Sequence, residues 1–170
     1  MTDVPSDADL RALALRVAAG LQSRRQLLVS AESCTGGWLG KVCTELPGSS
    51  EWYAGGAIVY SNELKQRVLG VRPGTLQAEG AVSEAVVREM AEGALQHLKG
   101  DVSVAITGIA GPEGGSIEKP VGTVYFGIGD RDETVSSVSH FSGNRHSIQI
   151  LAAHTGLNLL RLHLLRKNSS

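Results

Sequence analysis

The 170-residue sequence has only two cysteines, Cys34 and Cys43. Cys43 falls inside a predicted helix and Cys34 just before it, so their Cβ vectors do not meet and no disulfide framework is expected. Unpaired thiols of this kind fit a reducing, cytoplasmic setting. No apolar run is long enough to cross a membrane. The N-terminal segment Met1-Thr2-Asp3-Val4-Pro5-Ser6-Asp7 is acidic and lacks the apolar stretch of a signal peptide. Excess charge is missing as well: 16 basic residues face 17 acidic ones, for a net charge of -1. That excludes a nucleic-acid partner held by bulk electrostatics, although a local anion site remains compatible. There is no H-E-x-x-H and no Cys/His cluster, which argues against zinc; no other metal or cofactor is called for. No histidine is well placed to activate a hydroxyl. His97 comes late in a predicted helix, His140 lies in a late strand, and His146, His154 and His163 lie in the last helix.

What is present is an ordinary globular composition, 42% hydrophobic and 19% charged, with enough chain for one substantial core. Residues 1–6 read as a flexible tail and 7–166 as a single domain. Asp7 is expected to cap a helix with Leu10, Leu13, Val17 and Leu21 on its apolar side. Leu27-Leu28-Val29 reads as a buried strand. A helix opens at Gly36-Gly37 and ends near Pro47-Gly48, and Ala57-Ile58-Val59-Tyr60 reads as the next strand. Ser61 caps a short helix closed by Gly70. Residues 71–81 read as a loop, Ser83 starts an amphipathic helix, and Val102 to Ile106 form a strand. Two alternating strands, 121–129 and 134–141, form a hairpin, and a long helix from Arg145 to Leu165 closes the chain. Helices alternating with early strands, with a late hairpin, predict an α/β fold: a three-layer α/β/α sandwich around a mixed sheet.

The 21 glycines cluster in two loops, each following an apolar strand. One is Ala31-Glu32-Ser33-Cys34-Thr35-Gly36-Gly37. The other runs from Thr107-Gly108-Ile109-Ala110-Gly111-Pro112 to Gly114-Gly115. Ligands bind outside the carboxyl ends of strands in α/β sheets, so the two loops suggest one pocket. Ser33 has two readings: a helix cap, or a nucleophile beside amides at Thr35, Gly36 and Gly37 that hold an anion or a developing oxyanion. Lys65 is either a solvated helix lysine or a desolvated base for Ser33. Tyr60 either packs its ring at a strand end or points at Ser33 beside Lys65. The second loop is neither a Walker A motif nor a convincing dinucleotide fingerprint, because no G-K-[ST] follows and Pro112 and a strand replace the expected helix. It reads as a plain turn or as a compact phosphate or ribose cradle. Arg145 is either a surface residue or a phosphate partner.

Together with Tyr60-Ser61-Asn62-Glu63-Leu64-Lys65, Leu69-Gly70-Val71 and Lys119-Pro120-Val121-Gly122-Thr123, these segments resemble the CinA C-terminal domain family. The likeness runs from about Arg11 to Leu165 and includes the stand-alone nicotinamide-nucleotide amidohydrolases. The resemblance implies hydrolysis of the carboxamide of nicotinamide mononucleotide to nicotinate mononucleotide and ammonia, in pyridine-nucleotide recycling. It implies Ser33 as nucleophile, with Lys65 and Tyr60 as activating partners. The Thr35, Gly36 and Gly37 amides would lie near the intermediate, Thr107, Gly108 and Gly111 would line the nucleotide pocket, and Arg145 would face the phosphate. It also implies a small-molecule substrate, no metal, and a homo-oligomer. Gln149 stands where members commonly carry a second arginine, which bears on phosphate affinity. Two other readings are a catalytically silent nucleotide- or partner-binding module linked to competence or DNA damage, and the same chemistry on another amide.

Overall fold

The computed structural model describes residues 3–169; Met1 and Thr2 of the expected tail, and Ser170, lie outside them. The first helix, α1 (Asp7–Arg24), is capped by Ser6 rather than by Asp7. The Ser6 hydroxyl accepts from the Asp9 N–H, and the Asp9 carboxylate accepts from the Ser6 N–H, a reciprocal capping box. The chain then forms β1 (Leu28–Glu32), α2 (Trp38–Thr44), a short 3₁₀ turn at Ser49–Glu51, and β2 (Tyr53–Ile58). It continues through α3 (Asn62–Leu69), α4 (Pro73–Glu79), α5 (Glu84–Leu98), β3 (Val102–Gly108), β4 (Thr123–Asp130), β5 (Thr134–His140) and α6 (Arg145–Asn168).

The five strands form one mixed sheet in the order β2-β1-β3-β4-β5. β1 pairs in parallel with β2 and β3, while β4 runs antiparallel to β3 and β5 antiparallel to β4. One apolar layer packs residues of α1, α2 and α6 against the sheet, and the other packs α5 and the α3–α4 region. The α/β/α sandwich read from the sequence is therefore the observed architecture. β1 is buried at every residue because both neighbours and both helical layers cover it. β2 is an edge strand and alternates between half-buried and exposed positions.

Several boundaries differ from the sequence reading: β1 extends to Glu32 and β3 to Gly108, α2 is shorter at both ends, β4 starts at Thr123, and three further differences have a local cause. β2 begins at Tyr53 and ends at Ile58, so Val59 and Tyr60 already belong to the turn. Gly55 and Gly56 obscure the strand pattern, yet a Cβ at Gly56 would meet Ser30 Oγ at 2.1 Å, so the bare position lets the strands approach. The supposed loop 71–81 contains α4, which Pro73 opens at its first turn, where a missing N–H costs nothing. α6 continues past Leu165 to Asn168. Gly93 of α5 sits against the Leu69 carbonyl, with no room for a Cβ, and this close crossing seats α3 on the core.

Candidate active site

The β1–β2 pairing puts two chain exits side by side. Glu32 is level with Ile58, the Val59 N–H donates to the Glu32 carbonyl at 2.8 Å, and the Ser33 N–H donates to the Ile106 carbonyl at 3.0 Å. Ser33 therefore emerges at the carboxyl end of the parallel strands. One turn into α3, whose cap is the Ser61 hydroxyl, the Lys65 side chain folds back over the turn that precedes its helix. Its Nζ donates to Ser33 Oγ at 3.0 Å, to the Val59 carbonyl at 2.9 Å and to the Tyr60 carbonyl at 3.1 Å. Lys65 is 1% exposed and Ser33 6%. This is not a solvated helix lysine.

All three acceptors are neutral, and no carboxylate bonds to the amine. Burial therefore pushes the Lys65 pKa below the ordinary 10.5, and only a Cys34 thiolate would oppose this. Cys34 is itself buried and its pKa is pushed up to about 12, so near neutrality it carries no charge. The proton count is informative. An ammonium would donate to all three oxygens, whereas a neutral amine keeps two N–H groups for the two carbonyls and turns its lone pair toward Ser33 Oγ.

Glu32, for which the local sequence suggests no role, organises the turn after Ser33. Its buried carboxylate accepts from Thr35 Oγ1 at 2.7 Å, from the Leu39 N–H at 3.0 Å and from the Gly40 N–H at 3.0 Å. The positive end of α2 is thus closed from within by the protein's own anion. Its one mark in the sequence is its place, an acid closing an apolar strand shortly before a Gly-Gly helix start. Gly37 caps α2 at φ 99°, a conformation that favours glycine. The Gly36 N–H donates to the Ser33 carbonyl at 3.1 Å. Among the described residues, the N–H groups of Thr35 and Gly37 have no partner.

Beside this pair lies a cleft of about 210 Å³ whose lining includes Cys34, Tyr60, Gly108, Gly111, Glu113 and Arg145. Arg145, at the start of α6, spans its mouth: Nη1 donates to the Gly111 carbonyl at 2.7 Å and Nη2 to the Tyr60 hydroxyl at 3.2 Å. Tyr60 therefore reaches Lys65 through its main-chain carbonyl and Arg145 through its phenol, and its hydroxyl makes no hydrogen bond to Ser33. Thr107 is 1% exposed, donates its hydroxyl to the Ala81 carbonyl at 2.9 Å, and does not line the cleft. It pins the segment before α5 to the end of β3. One turn along α6 from Arg145, Gln149 Nε2 donates to the Cys34 carbonyl at 2.9 Å. No local pattern marks that contact, which ties α6 to the Ser33 turn.

Other hollows lack this chemistry. A cleft of about 320 Å³ between β4, β5 and α6 is lined by apolar side chains such as Phe126, Val135 and Leu159 together with Glu133, His163 and Arg166, which already pair within the protein. Asp130, Glu133 and His163 lie close enough together to hold a cation. Lys167 already bonds both carboxylates at 3.1 Å, His163 bonds Asp130 at 2.8 Å, and Arg166 pairs with Glu133. Both cysteines are free and buried, and no helix among the described residues is long and apolar enough to cross a membrane.

Comparison with known proteins shows the family and the fold. The CinA C-terminal domain model matches residues 10–164. A nicotinamide-nucleotide amidohydrolase, PncC, from Escherichia coli K12 is 47% identical over 156 residues, 91% of this chain and 94% of that protein. A CinA-like protein from Syntrophomonas wolfei is 50% identical over 87% of this chain but only 36% of its own length. Among solved structures, a CinA superfamily protein from Klebsiella pneumoniae superposes with a TM-score of 0.89 at 36% identity, covering 92% of this chain and 98% of that one.

Proposed function

The chain belongs to the CinA C-terminal domain family, and we propose that it hydrolyses the carboxamide of nicotinamide mononucleotide to nicotinate mononucleotide and ammonia through an acyl intermediate on Ser33. The 3.0 Å contact between Lys65 Nζ and Ser33 Oγ, made by a buried amine that no carboxylate bonds, carries the reading. The name of the Escherichia coli relative supplies the substrate.

An amide is a poor electrophile, and a covalent intermediate divides its barrier into two lower ones. Ser33 Oγ attacks the carboxamide carbon while its proton passes to the neutral Lys65 amine. The Val59 and Tyr60 carbonyls hold the two remaining N–H groups and keep the lone pair aimed at Oγ. Direct transfer to Lys65 fits the 3.0 Å contact, and the part of Tyr60 that activates the pair is its carbonyl. The developing oxyanion needs donors, and the unpartnered Thr35 and Gly37 N–H groups beside the bare Gly36 are the candidates. The C–N bond then breaks as the Lys65 ammonium returns its proton to the leaving nitrogen, giving ammonia and a Ser33 ester. Water attacks the ester and gives a proton to Lys65, the C–O bond breaks, and the Ser33 oxygen recovers its proton. Arg145 has five N–H donors, of which two are engaged, so it retains capacity for a phosphate. Gly108 and Gly111 bring bare backbone to the cleft wall.

Ammonia release from nicotinamide mononucleotide by the purified protein, beside Ser33→Ala, tests this. The expected result is release by the wild type alone, with a mass increase on Ser33 when the ester is trapped. Release by both proteins removes Ser33 from the mechanism, and release by neither removes the substrate.

A further inference from the structure

Tyr60 differs from everything around it. Val59 is fully buried and Lys65 is 1% exposed, yet Tyr60 is 62% exposed and lines the cleft. It is the one aromatic residue among the described residues of that lining. Both ends of the residue are tethered, the carbonyl by Lys65 Nζ at 3.1 Å and the phenol oxygen by Arg145 Nη2 at 3.2 Å. A hydrogen bond at the phenol oxygen engages the ring's edge and leaves its faces free. The lining also includes the segment Gly108-Ile109-Ala110-Gly111, in which Ile109 carries the one large side chain and the two glycines present bare backbone to a flat ligand. A held ring on a residue whose own carbonyl is bonded by Lys65 Nζ is surface left unsatisfied by the protein itself. Proton transfer does not use it, because the phenol makes no hydrogen bond to Ser33 or Lys65.

We infer that the Tyr60 ring is a specificity-determining platform on which the cationic pyridinium ring of the substrate stacks. This rests on the substrate reading given above. A pyridinium is flat and positively charged, and an aromatic face attracts such a cation through its quadrupole. Stacked there, the ring holds its carboxamide toward Ser33, while its phosphate end lies on the Arg145 side. Discrimination then comes from the ring charge: a neutral ring of equal shape buries the same area but forfeits the electrostatic part. The other anionic feature of the cleft is Glu113, which has no ion-pair or hydrogen-bond partner among the described residues, and the test separates the two.

Titration calorimetry on Ser33→Ala, which cannot turn over under this mechanism, compares nicotinamide mononucleotide with its benzamide analogue, in which carbon replaces the ring nitrogen. The expected preference for the cationic ring is about 3- to 30-fold, the range of a cation–π contact. Adding Tyr60→Leu abolishes the preference, and adding Tyr60→Phe, which keeps the ring and loses the hydroxyl, preserves it. The inference is overturned if the preference survives Tyr60→Leu, if Tyr60→Phe loses as much as Tyr60→Leu, or if Glu113→Gln alone removes it. Ammonia release by the wild type distinguishes the failures. Hydrolysis without ring discrimination sinks the platform only, and neither hydrolysis nor binding sinks the substrate reading with it.

Discussion

Two lysines lie at opposite ends of one sheet and are treated in opposite ways. Lys65 sits at the carboxyl end of the parallel strands with a hydroxyl and two carbonyls, and burial pushes its pKa down. Lys167 sits where β4 ends, level with the start of β3, and its hydrogen bonds to Asp130 and Glu133 push its pKa up. Burial also opposes the charge of Asp130, yet the Asp132 and Glu133 N–H groups, His163 and Lys167 hold its carboxyl well below the usual range. At one end of the sheet Asp130, Glu133, His163 and Lys167 partner one another and gain stability. The other withholds the partner, which costs stability and leaves an amine able to take a proton. The same residue type becomes a structural cation or a poised base according to whether carboxylates are within reach.

The comparison breaks most sharply at Lys65. Lys65→Met, which keeps the length and removes the amine, should lower kcat by about 10²–10⁴-fold, the worth of a general base, without lowering the melting temperature. A wild-type rate in that variant would end the base assignment. The sign of the pH dependence follows from the lowered pKa. The neutral fraction of Lys65 grows as pH rises, so kcat/KM should climb along a limb whose midpoint lies below 10.5. Stability should rise over the same window, because the unfolded chain binds the proton more tightly than the native one. Asp130→Asn should retain that limb.

At the other end, Asp130→Asn removes a carboxylate whose side chain is only 9% exposed. It should cost about 1.5–3 kcal/mol in denaturant unfolding, the scale of a charged hydrogen bond, with turnover unaffected. Because the Asp130 pKa is depressed, its contribution is present above about pH 4, the unfolded value, and is lost as pH falls further. Acid titration of the unfolding free energy should show that loss in the wild type and not in the variant.

Glu32→Gln sharpens the contrast within the active end. An amide side chain cannot accept from Thr35, Leu39 and Gly40 together as the carboxylate does. The expected cost is about 1–2 kcal/mol, as for loss of a good helix cap, with kcat falling more than KM rises because the turn behind Ser33 loosens. A KM effect alone would place Glu32 outside the positioning of the turn. The smallest change is expected at Ser6→Ala, remote from both lysines, at about 1 kcal/mol of stability with no change in rate.

Much of this was legible from local signals. Ser61, Gly70 and Ser83 mark helix ends by chemistry that acts within a few residues, and the structure places caps at all of them. The hairpin and the long last helix follow from alternation and periodicity. Where the local signal is weak, sequence and structure part: Gly55 and Gly56 mask the start of β2, Pro73-Gly74 is as compatible with a turn as with the first turn of a helix, and Ser6 and Asp7 are both good caps side by side. The contacts of Thr107 with Ala81, Gln149 with Cys34 and Arg145 with Tyr60 join residues far apart in the chain, and no local pattern records them.

Local sequence specifies the class of fold, the strand-to-loop exits that carry Ser33 and the second glycine-rich loop, and the short capped helix that carries Lys65. These depend on periodicity and capping, which are properties of neighbouring residues. Tertiary structure alone decided that Lys65 is buried without a carboxylate while Lys167 has several. A lysine's charge state depends on desolvation and on distances to groups brought close only by the pairing of β1 with β2 and the return of α6 over the sheet.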